Sequence, residues 1–438
     1  MKRCVISAPM SGSGKTTVTL GLLAALRSRG IAVQPFKVGP DFIDTGLHEI
    51  AAGVPSHNLD GWMLSRDTNE WLFARAGEGK DVAIVEGVMG LFDGFDGQSE
   101  RGSTAEMAKW LGMPVVLVID AYSMARSAAA LVEGFKQFDP DVKITGVIFN
   151  RVGGEGHYRM LADAVRDAPI LGWLPVDTSI EIPERHLGLL TAPELTAAKI
   201  REIAAFVERR INLDRLLSSV GAVYDRAYFV DSRKNARSQT APTVRTVAIA
   251  QDKAFSFYYH ANRIALQEAG AQIIEFSPLA DKEVPAADLL YIGGGYPEIY
   301  RRELEANTTM RTSVRKFIES GKKFYAECGG LMYLAESIGD SKMVGVVPTK
   351  IEMTDRLVDF GYCEVTTTAE SVLGPHGTTA RGHQFHYSRS SSGSGSAYEV
   401  VQGERRYTEG FAFPNGIASY IHLHFLSNPA LARNMLNS

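Results

Sequence analysis

A glycine-rich loop near the start of the chain constrains the fold more than any other feature. The apolar run "RCVISAP" (3–9) leads into "MSGSGKT" (10–16), and a helical pattern then continues to Gly30. A strand that enters a glycine-rich loop and leaves it as a helix is the phosphate-loop arrangement of parallel α/β domains. The usual pattern begins with glycine, where this chain has Ala8, and the other positions fit.

The residue types of this loop suit a nucleoside triphosphate. Glycines let backbone N–H groups curl round phosphate oxygens, and the helix N-terminus adds positive potential. Lys15 can neutralise the β- and γ-phosphates, and the Thr16 hydroxyl can ligate Mg²⁺. A glycine turn that binds nothing is the alternative, and the strand–loop–helix context disfavours it. The predicted ATP-binding residues of the loop are Ser11, Gly12, Ser13, Gly14, Lys15, Thr16 and Thr17.

Four further apolar, β-branched runs follow, with helical patterns between most of them. They are "IAVQPFKVG", "DVAIVEGV", "PVVLVIDA" and "ITGVIFNRV". Short apolar strands separated by helices predict a parallel sheet covered on both faces. The last run ends in Asn150 and Arg151, which could meet the base or the phosphates of a nucleotide; a simple turn is the alternative.

Polar side chains end two of these runs, at the edge where open α/β sheets bind ligands. Lys37, Asp41 and Asp44 follow one run, and Glu86 ends the next. A carboxylate in the position of Glu86 can complete the Mg²⁺ shell begun by Thr16. For the acidic residues, a helix cap or a solvated loop position remains the alternative.

The composition is that of a globular protein, and it narrows the possible partners. The chain has 438 residues, enough for two or three domains, and a net charge of −4 gives no reason to expect nucleic-acid or anionic-membrane binding. No signal peptide or membrane-spanning run is evident, so a cytoplasmic location is expected. Three cysteines make a disulfide framework unlikely to be the basis of the fold.

The pattern along the chain predicts two α/β domains. The first covers residues 1–192, and a helical segment followed by a polar linker covers 193–242. A new α/β pattern then begins and occupies 243–438, with the runs "TVRTVAIAQD", "AQIIEFSPL", "DLLYIGGGYPE" and "KKFYAECGG".

Cys328 in "KKFYAECGGLMYLAE" stands between a predicted strand and a predicted helix. Such an elbow exposes a nucleophile beside a helix N-terminus, which is expected to lower the pKa of the thiol. The Gly329 N–H can serve as one oxyanion donor, and the glycine turn in "IGGGYPE" (292–298) can supply another. The alternative is a buried structural cysteine.

A nucleophilic thiol needs a base, and the sequence offers two histidine pairs. His422 and His424 lie in "ASYIHLHFLSNP", and His383 and His386 lie in "RGHQFHYS". His422 and His424 are two apart and therefore share one face if the segment is extended. His383 and His386 are the other candidates for the base.

The motifs together resemble one family. The N-terminal half is similar to the dethiobiotin synthetase-like P-loop ATPases, and the C-terminal half is similar to the class I glutamine amidotransferases, a flavodoxin-like α/β fold. Fused in this order, with "KVGPDFID", "VEGVMGLFDG", "ECGGLMYL" and "SYIHLHFLSNP", they resemble the cobyrinic acid a,c-diamide synthase family. This resemblance covers nearly the whole chain.

The resemblance implies a role for each matching residue. Cys328 would be the glutaminase nucleophile and His422 its base, with the oxyanion hole formed by the glycine turn and the elbow. Asn150 would contact adenine. The implied oxyanion-hole residues are Gly294, Gly295 and Gly329. The residues implied to organise Mg²⁺, ATP and the substrate carboxylate are Lys37, Asp41, Asp44 and Glu86. The implied metal ligands are Thr16 and Glu86.

Two positions depart from the family pattern. Many class I glutaminases have His-x-Glu, with the glutamate orienting the histidine, but this chain has His424 in that place, so Cys328 and His422 could act as a dyad. Glutamate is expected in "GHEFHYS", where this chain has Gln384.

The implied activity is that of a ligase. It would amidate the a and c acetate carboxylates of cobyrinic acid with ATP, Mg²⁺ and ammonia from glutamine. Its partners would be small molecules, with no nucleic acid or membrane, and a homodimer is allowed. The same reaction on hydrogenobyrinic acid or nickel sirohydrochlorin is the nearest alternative, and an ATPase switch of the partitioning type is an alternative from another class.

Overall fold

The structure, a computed structural model, forms two compact units, Met1–Ser232 and Arg233–Ser438. It describes residues 1–180, 196–220, 244–391 and 395–437. The polar linker that follows the predicted helical segment therefore lies outside the described residues, and the domain boundaries taken from the sequence stay a prediction.

The first unit is built on one seven-stranded sheet in the order β3-β2-β4-β1-β5-β6-β7, in which every neighbouring pair is parallel. Its strands are β1 (Lys2–Ser7), β2 (Val33–Val38), β3 (His57–Leu59), β4 (Val82–Glu86), β5 (Val115–Asp120), β6 (Ile144–Val152) and β7 (Ile170–Pro175). The predicted parallel sheet is confirmed.

Helices alternate with these strands, and the core of the unit lies between helices and sheet. The helices are α1 (Lys15–Ser28), α2 (Phe42–Ala52), α3 (Arg66–Ala76), α4 (Thr104–Trp110), α5 (Ser127–Phe138), α6 (Glu155–Ala164), α7 (Ala197–Arg210) and α8 (Leu213–Ser219). Helix α1 buries Leu22, Leu23 and Leu26 completely. It packs so closely on α7 that a Cβ at Gly21 would collide with Val207, so α1 is held firmly behind the phosphate loop that it follows.

The second unit contains a six-stranded sheet in the order β20-β21-β11-β10-β8-β9. The strands concerned are β8 (Arg245–Ala250), β9 (Ala271–Phe276), β10 (Leu289–Ile292), β11 (Lys323–Glu327), β20 (Phe411–Phe413) and β21 (Gly416–Ser419). All pairs are parallel except β20–β21. Counted along the chain, the five parallel strands follow the 2-1-3-4-5 order of flavodoxin-like sheets, which confirms the fold class predicted for this half.

Two smaller sheets and five α-helices complete the described part of the second unit. One sheet has the order β13-β12-β14-β17 and the other β19-β18-β15-β16-β22. Their strands are β12 (Ser337–Ile338), β13 (Ser341–Lys342), β14 (Lys350–Met353), β15 (Asp359–Thr367), β16 (Thr379–His386), β17 (Ser388–Ser390), β18 (Tyr398–Gln402), β19 (Arg405–Glu409) and β22 (His422–Leu423). The helices are α9 (His260–Glu268), α10 (Arg301–Ala306), α11 (Thr308–Glu319), α12 (Gly329–Leu334) and α13 (Ala430–Asn437).

Candidate active sites

The phosphate loop connects β1 to α1 and is held in place by the end of β6. Gly12 and Gly14 have φ values of 76° and 90°, a region that residues with a Cβ rarely adopt. The Asn150 side chain donates from Nδ2 to the Ser13 carbonyl at 3.0 Å and lies directly against Gly14. Arg151 donates from Nη2 to the Gly12 carbonyl at 2.6 Å. The structure therefore brings the predicted Asn150 onto the loop.

Lys15 bridges the phosphate loop and the turn that follows β4. Its Nζ donates to the Met89 carbonyl at 2.6 Å and to the Met10 carbonyl at 3.2 Å. Burial lowers the pKa of this ammonium group from its ordinary value. Of the other predicted loop residues, Ser11 is exposed and Thr17 is half-buried in the first turn of α1.

Glu86, at the end of β4, is the centre of a buried polar cluster. Its Oε1 accepts from Thr16 Oγ1 at 2.7 Å and from Lys37 Nζ at 3.0 Å, and its Oε2 lies 2.7 Å from His48 Nε2. Burial alone would raise the pKa of Glu86, but the charge of Lys37 and the bond to His48 outweigh it and hold the pKa below its ordinary range. Glu86 is therefore an ionised carboxylate at the carboxyl edge of the sheet.

Lys37 joins the acidic residues of α2 to this cluster. Its Nζ lies 2.7 Å from Asp44 Oδ2, and although burial lowers the pKa of Lys37, the neighbouring carboxylates raise it above its ordinary value. Asp41 has a different position, because its Oδ1 accepts from the Ile43 and Asp44 N–H groups and caps α2. The structure thus brings Lys37, Asp44 and Glu86 together, whereas Asp41 occupies the helix cap that the sequence left open as the alternative.

His48 is a member of the cluster that the sequence analysis missed. Its side chain is fully buried, and its Nδ1 lies 3.2 Å from Ser56 Oγ, which fixes the ring while Nε2 meets Glu86. The signal was present in the sequence, since His48 follows Asp44 by four residues and so lies on the same face of α2.

Cys328 occupies a strained elbow between β11 and α12. Its φ of 49° and ψ of −103° are unusual for a residue with a side chain and carry a cost on the order of 1–3 kcal/mol. The Cys328 N–H donates to the Ser419 carbonyl of β21 at 2.7 Å, so the sheet holds the elbow in place. Strain of this kind is concentrated at functional sites, and the structure confirms the predicted strand–turn–helix context.

The glycine turn after β10 lies against this elbow. A Cβ at Gly329 would come within 3.1 Å of the Gly295 nitrogen, which shows how closely the two backbones approach. The Gly294 N–H donates to the Phe257 carbonyl at 3.2 Å. Of the three predicted oxyanion-hole residues, Gly295 and Gly329 therefore lie close together at the elbow. The N–H of Gly294 instead makes the hydrogen bond to Phe257.

His422 lies on the other side of the same glycine turn. A Cβ at Gly294 would collide with the His422 ring at Cε1 and lie 3.2 Å from Nε2. The ring stacks on His383 of β16, with centroids 5.1 Å apart and an interplanar angle of 17°, and His383 Nδ1 lies 2.6 Å from the Tyr259 hydroxyl. The turn at Gly294 and Gly295 thus connects the surroundings of His422 to the elbow of Cys328.

The other candidate residues of this region have different environments. His424 is fully buried and packs on Tyr259, with ring centroids 4.6 Å apart. His386 stacks on Tyr420 at 4.0 Å. Gln384 is buried and donates to the Tyr407 hydroxyl. Of the four histidines, His422 is the one that lies against the glycine turn.

Cys328 and His422, the candidate nucleophile and base, are both electrically neutral at rest. Burial, together with the charge of Glu298, raises the pKa of the Cys328 thiol to about 12. Burial and the neighbouring His383 and His386 lower the pKa of His422 well below its ordinary value. The lowered thiol pKa expected from the sequence is wrong, because the thiol is only 7% exposed and its nearest charges are carboxylates. A neutral thiol can react with a neutral imidazole as its base, by passing its proton to the imidazole as it attacks.

Comparison with known proteins agrees with this division into two sites. Residues 4–190 match the CobQ/CobB/MinD/ParA nucleotide-binding domain model, and residues 246–430 match the CobB/CobQ-like glutamine amidotransferase domain model. The relatives from Listeria innocua and Streptococcus sanguinis are each 42% identical over 453 aligned residues, with 100% of this chain and 99% of theirs covered. A relative from Salmonella typhimurium is 41% identical over 448 residues, covering 99% and 97%. All three are cobyrinate a,c-diamide synthases.

The chain belongs to the cobyrinate a,c-diamide synthase family. Membership of this family makes it an ATP-using, glutamine-dependent ligase that forms amides. The match extends through both halves of the chain, including the half that carries Cys328, which sets aside the alternative of a partitioning ATPase.

Proposed function

We propose that this chain amidates the a and c acetate carboxylates of cobyrinic acid, using ATP and ammonia released from glutamine. The observation that carries the proposal is the presence, in one chain, of a strained cysteine elbow beside a glycine turn and His422, and of a phosphate-loop lysine beside the Glu86 cluster. The first arrangement suits glutamine hydrolysis, and the second suits phosphoryl transfer.

In the glutaminase unit, the Cys328 Sγ attacks the side-chain amide carbon of glutamine as its proton passes to His422. The N–H groups of Gly295 and Gly329 stabilise the oxyanion of the tetrahedral intermediate. His422 then gives the proton to the departing nitrogen, and ammonia leaves behind a glutamyl thioester. Water, deprotonated by His422, hydrolyses the thioester to glutamate and restores the thiol.

In the nucleotide-binding unit, a carboxylate oxygen of the substrate attacks the γ-phosphorus of ATP, and ADP leaves. The product is an acyl phosphate, which ammonia attacks at the carbonyl carbon to give the amide and inorganic phosphate. Lys15 and Lys37 supply positive charge, Lys15 at the phosphates and Lys37 between Asp44 and Glu86. Asn150 holds the loop from the end of β6, where it can also meet the adenine ring.

The residues present also suit Mg²⁺. The Thr16 hydroxyl and the Glu86 carboxylate lie 2.7 Å apart at the mouth of the phosphate loop, and both are the hard oxygen donors that this ion prefers. Mg²⁺ usually takes one or two protein ligands and completes its shell with water and phosphate oxygens. Thr16 and Glu86 would hold it, and it would supply positive charge beside the phosphates.

The substrate partners follow from this chemistry: glutamine, ATP and a corrinoid carrying acetate side chains. No helix among the described residues is long and apolar enough to cross a membrane. A cytoplasmic location, independence from nucleic acid and a homodimer stay predictions from the sequence.

The experiment that tests the proposal compares three substrates. Purified protein is incubated with ATP, Mg²⁺ and glutamine together with cobyrinic acid, hydrogenobyrinic acid or nickel sirohydrochlorin, and the products are resolved by mass. We expect cobyrinic acid to be converted to a diamide with the highest kcat/KM. Preferred amidation of either other macrocycle would overturn the choice of substrate while leaving the reaction type in place.

A further inference from the structure

Glu327 is a buried carboxyl group that the mechanism above does not use. It is the last residue of β11 and stands directly before Cys328. Its side chain is only 1% exposed, and burial raises its pKa to about 7. A buried ionisable group lowers the stability of the folded state unless its hydrogen bonds compensate for the lost hydration. The hydrogen-bond partners of Glu327 therefore indicate its role.

Three donors converge on the Glu327 carboxyl group. The Tyr291 hydroxyl of β10 donates to Oε2 at 2.8 Å, and the Tyr325 hydroxyl of β11 donates to Oε1 at 2.8 Å. The third donor is the backbone N–H of Leu423, which reaches Oε1 at 2.9 Å. The two tyrosines belong to the central sheet, so the carboxyl group is anchored to a rigid element and reaches out to Leu423.

Leu423 is the residue immediately after His422, and its N–H belongs to the peptide bond that His422 forms. Strand β22 consists of these two residues alone, and its pairing with β16 covers only two positions. The Leu423 carbonyl accepts from Asn262 Nδ2 at 2.8 Å. The strand that carries the base is therefore too short to fix itself and is held from outside at both polar atoms of Leu423.

We propose that Glu327 is the positioning residue of the glutaminase site, fixing His422 relative to Cys328 by holding the peptide bond after His422. The inference rests on the glutaminase function proposed above. Glu327 joins both reacting residues, because its backbone is linked to Cys328 by a peptide bond and its side chain accepts a hydrogen bond from the backbone beside His422. His424 packs on Tyr259 in the place where the family pattern has an orienting glutamate. The hold on the Leu423 N–H therefore acts on His422 together with the stacking of its ring on His383.

According to the proposal, the position of the Glu327 carboxyl oxygen matters and its charge does not. Two substitutions distinguish these two properties. Glu327→Gln keeps the side-chain length and an oxygen that can accept from Leu423, but it loses the charge. Glu327→Asp keeps the charge, but it is shorter by one methylene, about 1.5 Å, and cannot reach Leu423. A misplacement of about 1 Å can cost about 100-fold in rate.

We expect Glu327→Gln to keep the glutaminase kcat within about threefold and Glu327→Asp to lower it about 10- to 100-fold, with the KM for glutamine unchanged in both. Amidation driven by added ammonia should be unchanged, which shows that the variants are folded. The inference is overturned if Glu327→Asp is as active as Glu327→Gln or more active, or if both keep the wild-type kcat.

Four further variants complete the design. Tyr291→Phe and Tyr325→Phe each remove one hydrogen bond that anchors Glu327 without changing Leu423. Each variant should lower the glutaminase kcat about threefold at constant KM for glutamine. A wild-type kcat in both variants would contradict the inference even if the Glu327 variants do not fold. Glu364→Gln is the matched control, since it changes the same residue type in an exposed ion pair with Arg381 and should have no effect. Cys328→Ala is assayed alongside: if it keeps glutaminase activity, the nucleophile assignment has failed rather than this inference.

Discussion

At the scale of the residue, the environment of Cys328 differs most from what its motif suggests. The strand–glycine–helix pattern predicts the elbow, and the structure has it, with φ of 49° at Cys328. The pattern does not predict the charge around the thiol, because that depends on Glu298, which lies 30 positions earlier in the sequence, and on burial by several strands. A sequence motif thus identifies a candidate nucleophile but not its protonation state.

The raised thiol pKa leads to a direct prediction about Glu298. Glu298→Gln removes the negative charge that opposes the thiolate, so the pKa of Cys328 should fall and its reaction with iodoacetamide at fixed pH should become about three- to tenfold faster. The measurement is the alkylation rate followed by mass spectrometry of the peptide that contains Cys328.

Glu303→Gln serves as the control for that experiment, because Glu303 is exposed on α10 and its charge is screened by water. Equal alkylation rates in Glu298→Gln and the wild type would show that Glu298 does not govern the thiol.

At the scale of the element, the parallel strands and the ends that carry polar residues were predictable, and the short strands were not. The runs around Lys37 and Glu86 are apolar and β-branched, so their position at the carboxyl edge follows from the pattern. His422 lies on a strand of two residues, which no periodicity can reveal. His48 differs, because its spacing of four from Asp44 places it on the same face of α2, but its contact with Glu86 depends on how α2 packs on the sheet.

Helix α2 supplies the prediction at this scale. His48→Gln shortens and redirects the group that meets Glu86 Oε2, so Glu86 should lose its orientation toward Thr16. Losing such a supporting contact typically costs about 10- to 100-fold. We expect kcat/KM for ATP-dependent amidation to fall about tenfold, while the glutaminase rate stays unchanged.

Steady-state kinetics with ATP and Mg²⁺ varied separately, using ammonia as the nitrogen source, check this prediction. If His48→Gln amidates as efficiently as the wild type, His48 merely fills space beneath α2. A fall in both the glutaminase and the amidation rates would indicate a folding defect instead.

At the scale of the whole molecule, each unit has its own core, and the carboxyl groups buried in the second unit include those of Glu327 and Glu409. Burial raises the pKa of Glu327 and of Glu409 to about 7 each. The unfolded chain has carboxyl pKa values near 4.3, so between about pH 4.5 and 7 the unfolded state releases protons that the folded state retains. These two groups therefore lower the stability of the folded state as pH rises through this window.

Glu409→Gln should remove the part of this pH dependence of stability that comes from Glu409. The stability of the variant relative to the wild type should be lowest below about pH 4.5 and should increase up to about pH 7, by on the order of 3 kcal/mol. Glu409 accepts hydrogen bonds from Ser419 Oγ and the Tyr420 N–H, and glutamine can keep an acceptor for the backbone.

Calorimetric unfolding between pH 4.5 and 8 is the appropriate measurement. All four tryptophans lie in the first unit, so their fluorescence would not report on the unit that contains Glu409. A constant difference between the variant and the wild type across this pH range would show that Glu409 is ionised in the folded state at all these values.

The central claim is that one unit supplies ammonia and the other uses it, and the nitrogen source tests this most directly. Amidation of cobyrinic acid with ATP is measured for Cys328→Ala and for Lys15→Ala, once with glutamine and once with added ammonia. Cys328→Ala should be inactive with glutamine and keep close to the wild-type rate with ammonia, whereas Lys15→Ala should be inactive with both. Failure of ammonia to restore activity to Cys328→Ala, or ATP-dependent amidation by Lys15→Ala, would contradict the account.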